Sequence, residues 1–180
     1  MRGNQILRIN LSNPEEREIK TNYVPDETQY YDYWIYNDKL LIINLFPRST
    51  EDNGKVWVYN LSNDELITNF FITNYISIPQ DIECYYALPV VIGNELLIYC
   101  EENTMFYDSY KYARMLVFDK DNYSFKYEVN LDNEMWLPTL RLNFIKGTKL
   151  YYETSDGIYI YDHSQKRCVK HITEEEVGRR

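Results

Sequence analysis

The feature that most constrains this chain is a recurring unit of strand, polar turn and second strand. It is plainest in Gly54-Lys55-Val56-Trp57-Val58-Tyr59-Asn60-Leu61-Ser62-Asn63-Asp64-Glu65-Leu66-Ile67. Copies run through Gln5-Ile6-Leu7-Arg8-Ile9-Asn10-Leu11-Ser12-Asn13, Arg114-Met115-Leu116-Val117-Phe118-Asp119-Lys120-Asp121-Asn122 and Gly157-Ile158-Tyr159-Ile160-Tyr161-Asp162-His163-Ser164. In each, the first strand ends at Ile9, Tyr59, Phe118 or Tyr161 and is followed at once by Asn10, Asn60, Asp119 or Asp162. Asn and Asp side chains hydrogen-bond their own backbone two residues on, so an Asn or Asp closing a strand is turn chemistry with a mechanism. A second strand follows, as in Glu65-Leu66-Ile67, Ser124-Phe125-Lys126-Tyr127-Glu128-Val129 and Arg167-Cys168-Val169-Lys170-His171-Ile172. These two strands are named c and d.

Between the copies lies a second repeated hairpin, strands a and b. Ile35-Tyr36-Asn37-Asp38-Lys39-Leu40-Leu41-Ile42 aligns with Val91-Ile92-Gly93-Asn94-Glu95-Leu96-Leu97-Ile98 and with Ile145-Lys146-Gly147-Thr148-Lys149-Leu150-Tyr151-Tyr152. Asn37, Gly93 and Gly147 fall in register, where a two-residue hairpin turn needs a residue that accepts positive φ. Leu40, Leu96 and Leu150 stand 56 and then 54 residues apart. A steady period of that length points to solenoids or propellers. The expected class is all-β, in four-stranded antiparallel units; the alternative is a sandwich or meander that reuses one hairpin type.

Four-stranded units joined as successive hairpins resemble the blades of a β-propeller. Ile6-Leu7-Arg8-Ile9-Asn10-Leu11-Ser12 is similar to the outer strands of YWTD and TolB-like propellers. Tyr33-Trp34 is similar to the aromatic pair of the former, with Ile35-Tyr36 where Thr-Asp would follow. WD40 and kelch signatures are absent. The resemblance implies one domain over 1–172, made of a c–d hairpin at 4–19 and blades at about 30–70, 86–130 and 140–172. A charged tail follows at 173–180. That is three and a half blades, and the opening c–d pair has no a–b pair of its own. Unpaired strand edges are a liability that proteins cover or pair. The expectation is therefore an open propeller completed by a second copy of the chain, or by another propeller chain of which this is a piece.

Composition narrows the partners. Nineteen tyrosines and 7 phenylalanines against 6 glycines favour half-buried pleated surfaces. A formal charge of -9 repels phosphate backbones and anionic lipid, so neither nucleic acid nor membrane is an expected ligand. No apolar run approaches the roughly 20 residues of a membrane helix, and Met1-Arg2-Gly3-Asn4 leads into a strand without an apolar leader. A soluble, cytoplasmic location is expected, with Cys84, Cys100 and Cys168 reduced and buried rather than paired.

Because strand direction alternates, the a–b and c–d turns share one face and the b–c and d–a connections share the other. The former are tight. The latter include the stretches Lys20 to Asp32, Leu45 to Asn53, Phe70 to Leu88, Glu101 to Ala113 and Asn130 to Leu140. Binding residues concentrate on loops held by a rigid scaffold, and these loops interleave tyrosines with acids. The expected partner-binding residues are Tyr30, Tyr31, Tyr85, Tyr86, Tyr107, Tyr110 and Trp136, with Glu101 and Glu102 beside them. Tyr and Trp combine contact area with a polar end, which is why they anchor protein interfaces. The same tyrosines, Tyr75 and Tyr112 among them, equally suit covering the core.

Catalytic constellations are not found. Cys168 and His171 are three apart on a strand, which sends them to opposite faces, and zinc is not expected. Asp119-Lys120-Asp121-Asn122-Tyr123-Ser124 begins like a calcium loop but lacks the sharp-turn glycine and the bidentate Glu. Glycines are isolated, so no phosphate-binding loop exists. Two histidines and no Gly-x-Ser-x-Gly elbow leave little for a nucleophile and base. The expectation is a non-enzymatic, cofactor-free module that binds a protein through the long-loop face. The alternatives are a carbohydrate-binding or carbohydrate-processing propeller, a structural half of a larger propeller, and a small inhibitor docking on a host complex.

Overall fold

A computed structural model describes residues 6–10, 12–20, 30–45, 54–77, 86–103, 110–131, 141–154 and 157–178. The strands are β1 (Ile6–Asn10), β2 (Asn13–Lys20), β3 (Tyr30–Tyr36), β4 (Lys39–Leu45), β5 (Lys55–Asn60), β6 (Leu66–Phe71), β7 (Tyr86–Ile92), β8 (Glu95–Asn103), β9 (Tyr110–Asp119), β10 (Phe125–Asn130), β11 (Arg141–Lys146), β12 (Lys149–Thr154), β13 (Gly157–Asp162) and β14 (Arg167–Thr173). They form one two-stranded sheet, β1-β2, and three four-stranded antiparallel sheets, β3 to β6, β7 to β10 and β11 to β14. Each sheet is a simple meander. Among the described residues the opening pair stands without inner strands, as the count of repeats requires, and the described sheets do not close into a ring. No described helix is long and apolar enough to cross a membrane.

The turns behave as their residues dictate. Asn37, Gly93 and Gly147 all take positive φ, +50°, +58° and +62°, at the first central position of the a–b hairpin. That is the position where a type II′ turn needs it. In the c–d turns the Asn or Asp side chain accepts a backbone N–H two residues on: Ser62 to Asn60 at 2.8 Å, Asp121 to Asp119 at 3.0 Å and Ser164 to Asp162 at 3.0 Å. The left-handed residue is not that one but the fourth after it, Asp64, Tyr123 or Lys166. A register shift follows each time in strand c or d, at Val58/Tyr59, Phe125/Tyr127 and Ile160/Tyr161.

That bulge corrects one expectation. Lys170 opposes Ile160, yet Cys168 opposes Tyr161, so one residue of β14 is absorbed. Tyr159 and Tyr161 share a face by alternation, and their partners His171 and Cys168 therefore share it too. Strict alternation along the sequence places them on opposite faces; the bulge reverses this. Among the described residues no cluster of three or more potential metal-binding side chains forms.

The sheets pack face to face through alternate residues. Leu41, Ile43, Val56 and Val58 of the first full sheet meet Leu96, Ile98, Leu116 and Phe118 of the middle one. The other face of the middle sheet, Leu97, Tyr99, Met115 and Val117, meets Leu150, Tyr152, Tyr159 and Tyr161 of the last. Being covered on both sides explains why the first residue of β8, Glu95, is followed by the unbroken apolar run Leu96-Leu97-Ile98-Tyr99-Cys100. On the far side of the first full sheet, Leu40, Ile42 and Trp57 form a smaller buried cluster. The short 3-10 turn Ile72–Tyr75 lies between the first two full sheets: Ile72 is buried, and Tyr75 stacks on Phe125 at 4.7 Å between ring centroids. The charged segment after β14 is not featureless. Thr173 and Glu176 form a reciprocal capping box on one helical turn, α1 (Glu174–Val177).

Candidate functional site

The two ends of the sheets differ in kind. At the tight-turn end, the second residue of each c–d turn donates its N–H to the a–b turn of its own sheet: Leu61 to Asp38, Lys120 to Asn94 and His163 to Thr148. Neighbouring sheets are tied there as well. The Tyr36 hydroxyl lies 2.9 Å from that of Tyr123 and donates to the Lys120 carbonyl, joining the first sheet to the second. The Glu95 carboxylate lies 2.6 Å from His163 Nε2 and 3.2 Å from Lys126 Nζ, joining the second to the third. Partial burial acts upward on Glu95, but those bonds hold its carboxyl below the usual range. The a–b and c–d turns thus bond to each other within each sheet, and Tyr36 and Glu95 tie neighbouring sheets together.

The same end holds a concave feature. The first strands of the three sheets converge on an apolar cavity of about 240 Å³, lined by Trp34, Ile35 and Tyr36, by Pro89, Val90 and Val91, and by Leu96, Leu142 and Ile145. Pro89 fits there because β7 is an edge strand, where a missing N–H costs no ladder bond. The sequence pattern contains the cavity residues but not their convergence, since the residues from different sheets are at least 46 positions apart.

The opposite end gathers the residues singled out from sequence, as far as the described residues reach. Tyr30 and Tyr31 open β3. Tyr86 opens β7 and pairs with Glu101, while Tyr110 opens β9 and pairs with Asn103, next to Glu102 paired with Tyr112. One end of the middle sheet therefore carries Tyr86, Glu101, Glu102 and Tyr110 on three adjacent strands. Tyr85, Tyr107 and Trp136 lie outside the described residues.

Three of the aromatic and acidic residues assigned to that face turn inward. Tyr75 and Tyr112 belong to the packing between the first and middle sheets. Glu101 is 3% exposed and accepts a hydrogen bond from the Tyr99 hydroxyl at 2.7 Å. It lies two residues from Tyr99 and so faces the last sheet. Burial pushes its carboxyl up to about 7, against the opposing effect of the Tyr99 bond. This acid is a protonatable group inside a sheet interface, not a surface contact. Successive side chains of a strand point to opposite faces, so once the last sheet covers Tyr99 it covers Glu101 as well. Cys100 is buried, whereas Cys168 is only half-buried and Cys84 lies outside the described residues.

Compared with known proteins, the chain matches no protein-family model and no curated protein.

Proposed function

We propose that this chain is a propeller-like, non-enzymatic interaction module whose protein partner docks at the end carrying Tyr30, Tyr31, Tyr86, Glu102 and Tyr110. The observation that supports this reading is the division of labour between the two ends. At the tight-turn end the turns bond to each other and Tyr36 and Glu95 tie neighbouring sheets, which leaves the tyrosine-rich end for a partner on a rigid scaffold. The blades supply the platform, and the acids beside the tyrosines favour a basic or hydroxyl-rich partner surface.

The test is affinity capture from cells of the native host with two paired baits. A Tyr86→Ala/Tyr110→Ala variant alters the proposed face; a Ser62→Ala/Asp121→Ala variant alters the other end. Circular dichroism establishes that both fold. The expected result is a discrete partner retained by the second bait and lost at least about tenfold by the first, the equivalent of roughly 1.4 kcal/mol. Equal retention by both, or retention lost only by the second, overturns the assignment.

A further inference from the structure

The repeat sets one equivalent residue of every full sheet on the wall of the same cavity. Ile35, Val91 and Ile145 each stand two residues before the turn residue with positive φ, and they oppose Leu40, Leu96 and Leu150. All three line the cavity of about 240 Å³ on which the first strands converge. That placement accounts for two large apolar side chains that sheet packing leaves exposed, Ile35 at 63% and Ile145 at 43%. Both border a concavity at the inner edges of the sheets. The other walls include the ring-bearing residues Tyr36, Pro89 and Trp34, the last of which packs against both internal sheet interfaces. Protein interiors leave few voids larger than a water molecule, and an apolar cavity of about 150 Å³ is enough to bind benzene.

We propose that this cavity binds a small, neutral aromatic molecule about the size of two fused rings. Neutrality follows from the lining. Among the described residues it holds one ionisable group, the Tyr36 hydroxyl, which is already bonded to Tyr123 and to the Lys120 carbonyl. Burial and the bond to Tyr123 push that hydroxyl above its ordinary range, so it stays uncharged. No described lining side chain can pair with a charge carried into the cavity, and an unpaired charge in apolar surroundings is costly. An aromatic ligand is favoured over an aliphatic one because Trp34 and Tyr36 offer rings, and offset or edge-to-face ring pairs add to what burial of area alone contributes. The size follows from the volume, which lies between that needed for one ring and that of a site for a drug-sized ligand. The cavity is at the tight-turn end and does not depend on protein docking at the opposite one.

Methyl-resolved NMR of the 180-residue chain with indole as the probe tests this. Indole is expected to shift the methyl signals of Val91, Leu96, Leu142 and Ile145 saturably, with a dissociation constant of about 1 mM or tighter. Indole-3-acetate, an anionic relative, and camphor, a neutral aliphatic bicycle of similar size, are each expected to bind at least about tenfold more weakly. Ile145→Trp fills the cavity from its rim and should weaken indole at least about tenfold, whereas Phe144→Trp, next to it but outside the lining, should leave binding unchanged. Both positions are exposed, so each variant keeps the fold, which circular dichroism checks; Ile35→Trp repeats the filling from the first full sheet. Absence of saturable shifts, shifts confined to methyls outside the lining, equal affinity for camphor or indole-3-acetate, or undiminished binding by the filled variants would each overturn the proposal.

Discussion

The two internal sheet interfaces use the same repeat positions and differ in chemistry. Between the first and middle full sheets, Leu41, Ile43, Val56 and Val58 meet Leu96, Ile98, Leu116 and Phe118, with aromatic rings of Phe70, Tyr75 and Phe125 filling the rim. Its charged component is set at the edge: Arg114 pairs with Glu128 at 3.0 Å, and Glu128 also accepts from the backbone and hydroxyl of Ser77. Between the middle and last sheets, the equivalent positions hold Tyr99, Tyr152, Tyr159 and Tyr161, and Glu101 sits among them. Burial raises the Tyr99 and Tyr152 hydroxyls far above their ordinary range, so they stay neutral. One repeat thus supports an interface whose centre is mainly aliphatic, with its ion pair and the Tyr36–Tyr123 hydroxyls at the edge, and a hydroxylated one that buries a carboxyl, because the backbone specifies only which positions face inward.

The largest expected effect lies at the hydroxylated side. Gly157 opens β13 at φ +141°, and a Cβ there would run into the Ile172 carbonyl oxygen. Gly157→Ala therefore displaces β14, with an expected loss of about 4 kcal/mol from strain and overpacking together, measured by urea denaturation. A loss below about 1 kcal/mol would mean that the close approach is easily relieved. Next in size, Leu41→Ala hollows the interface between the first and middle full sheets and costs about 3 kcal/mol. The same loss is expected at pH 5 and pH 8, and a pH-dependent loss would erase the contrast.

Glu101 sharpens the comparison. Its folded carboxyl titrates at about 7 against 4.5 when unperturbed, so the native state holds the proton more tightly than the unfolded chain. Stability from the neutral acid is fully present below about 4.5 and is lost as pH rises through 7, by up to about 3 kcal/mol. Glu101→Gln keeps an acceptor for Tyr99 and removes the ionisation. It should leave stability near wild type at pH 4.5 and exceed it at pH 8. Parallel pH curves for the two proteins would place the charge in solvent instead. The smallest effect is at the tight-turn end, where Tyr36→Phe removes the bonds to Tyr123 and to the Lys120 carbonyl. About 1 kcal/mol is expected, and the double variant with Tyr123→Phe should lose scarcely more.

Much of this architecture was legible in residue order. The strand number, the four-strand period, the unaccompanied β1-β2 pair, the Asx bonds of Asn60, Asp119 and Asp162 and the positive φ at Asn37, Gly93 and Gly147 all follow from local patterns, because turns and pleats are decided within a few residues. The site was less legible. Tyr86, Glu102 and Tyr110 reach the expected end because strand direction alternates, but Glu101, Tyr75 and Tyr112 turn inward. Whether a residue at a strand end faces solvent depends on the sheet packed against it.

What the sequence determined by itself is the repeat and its chemistry at short range, including which residues close each strand. Tertiary structure decided the rest: the bulge that brings Cys168 and His171 to one face, the pairing of Tyr36 with Tyr123 and of Glu95 with His163, and the burial of Glu101. Each of these joins residues distant in the chain or depends on one register shift. Local propensity carries no information about them; the packing of one sheet on another does.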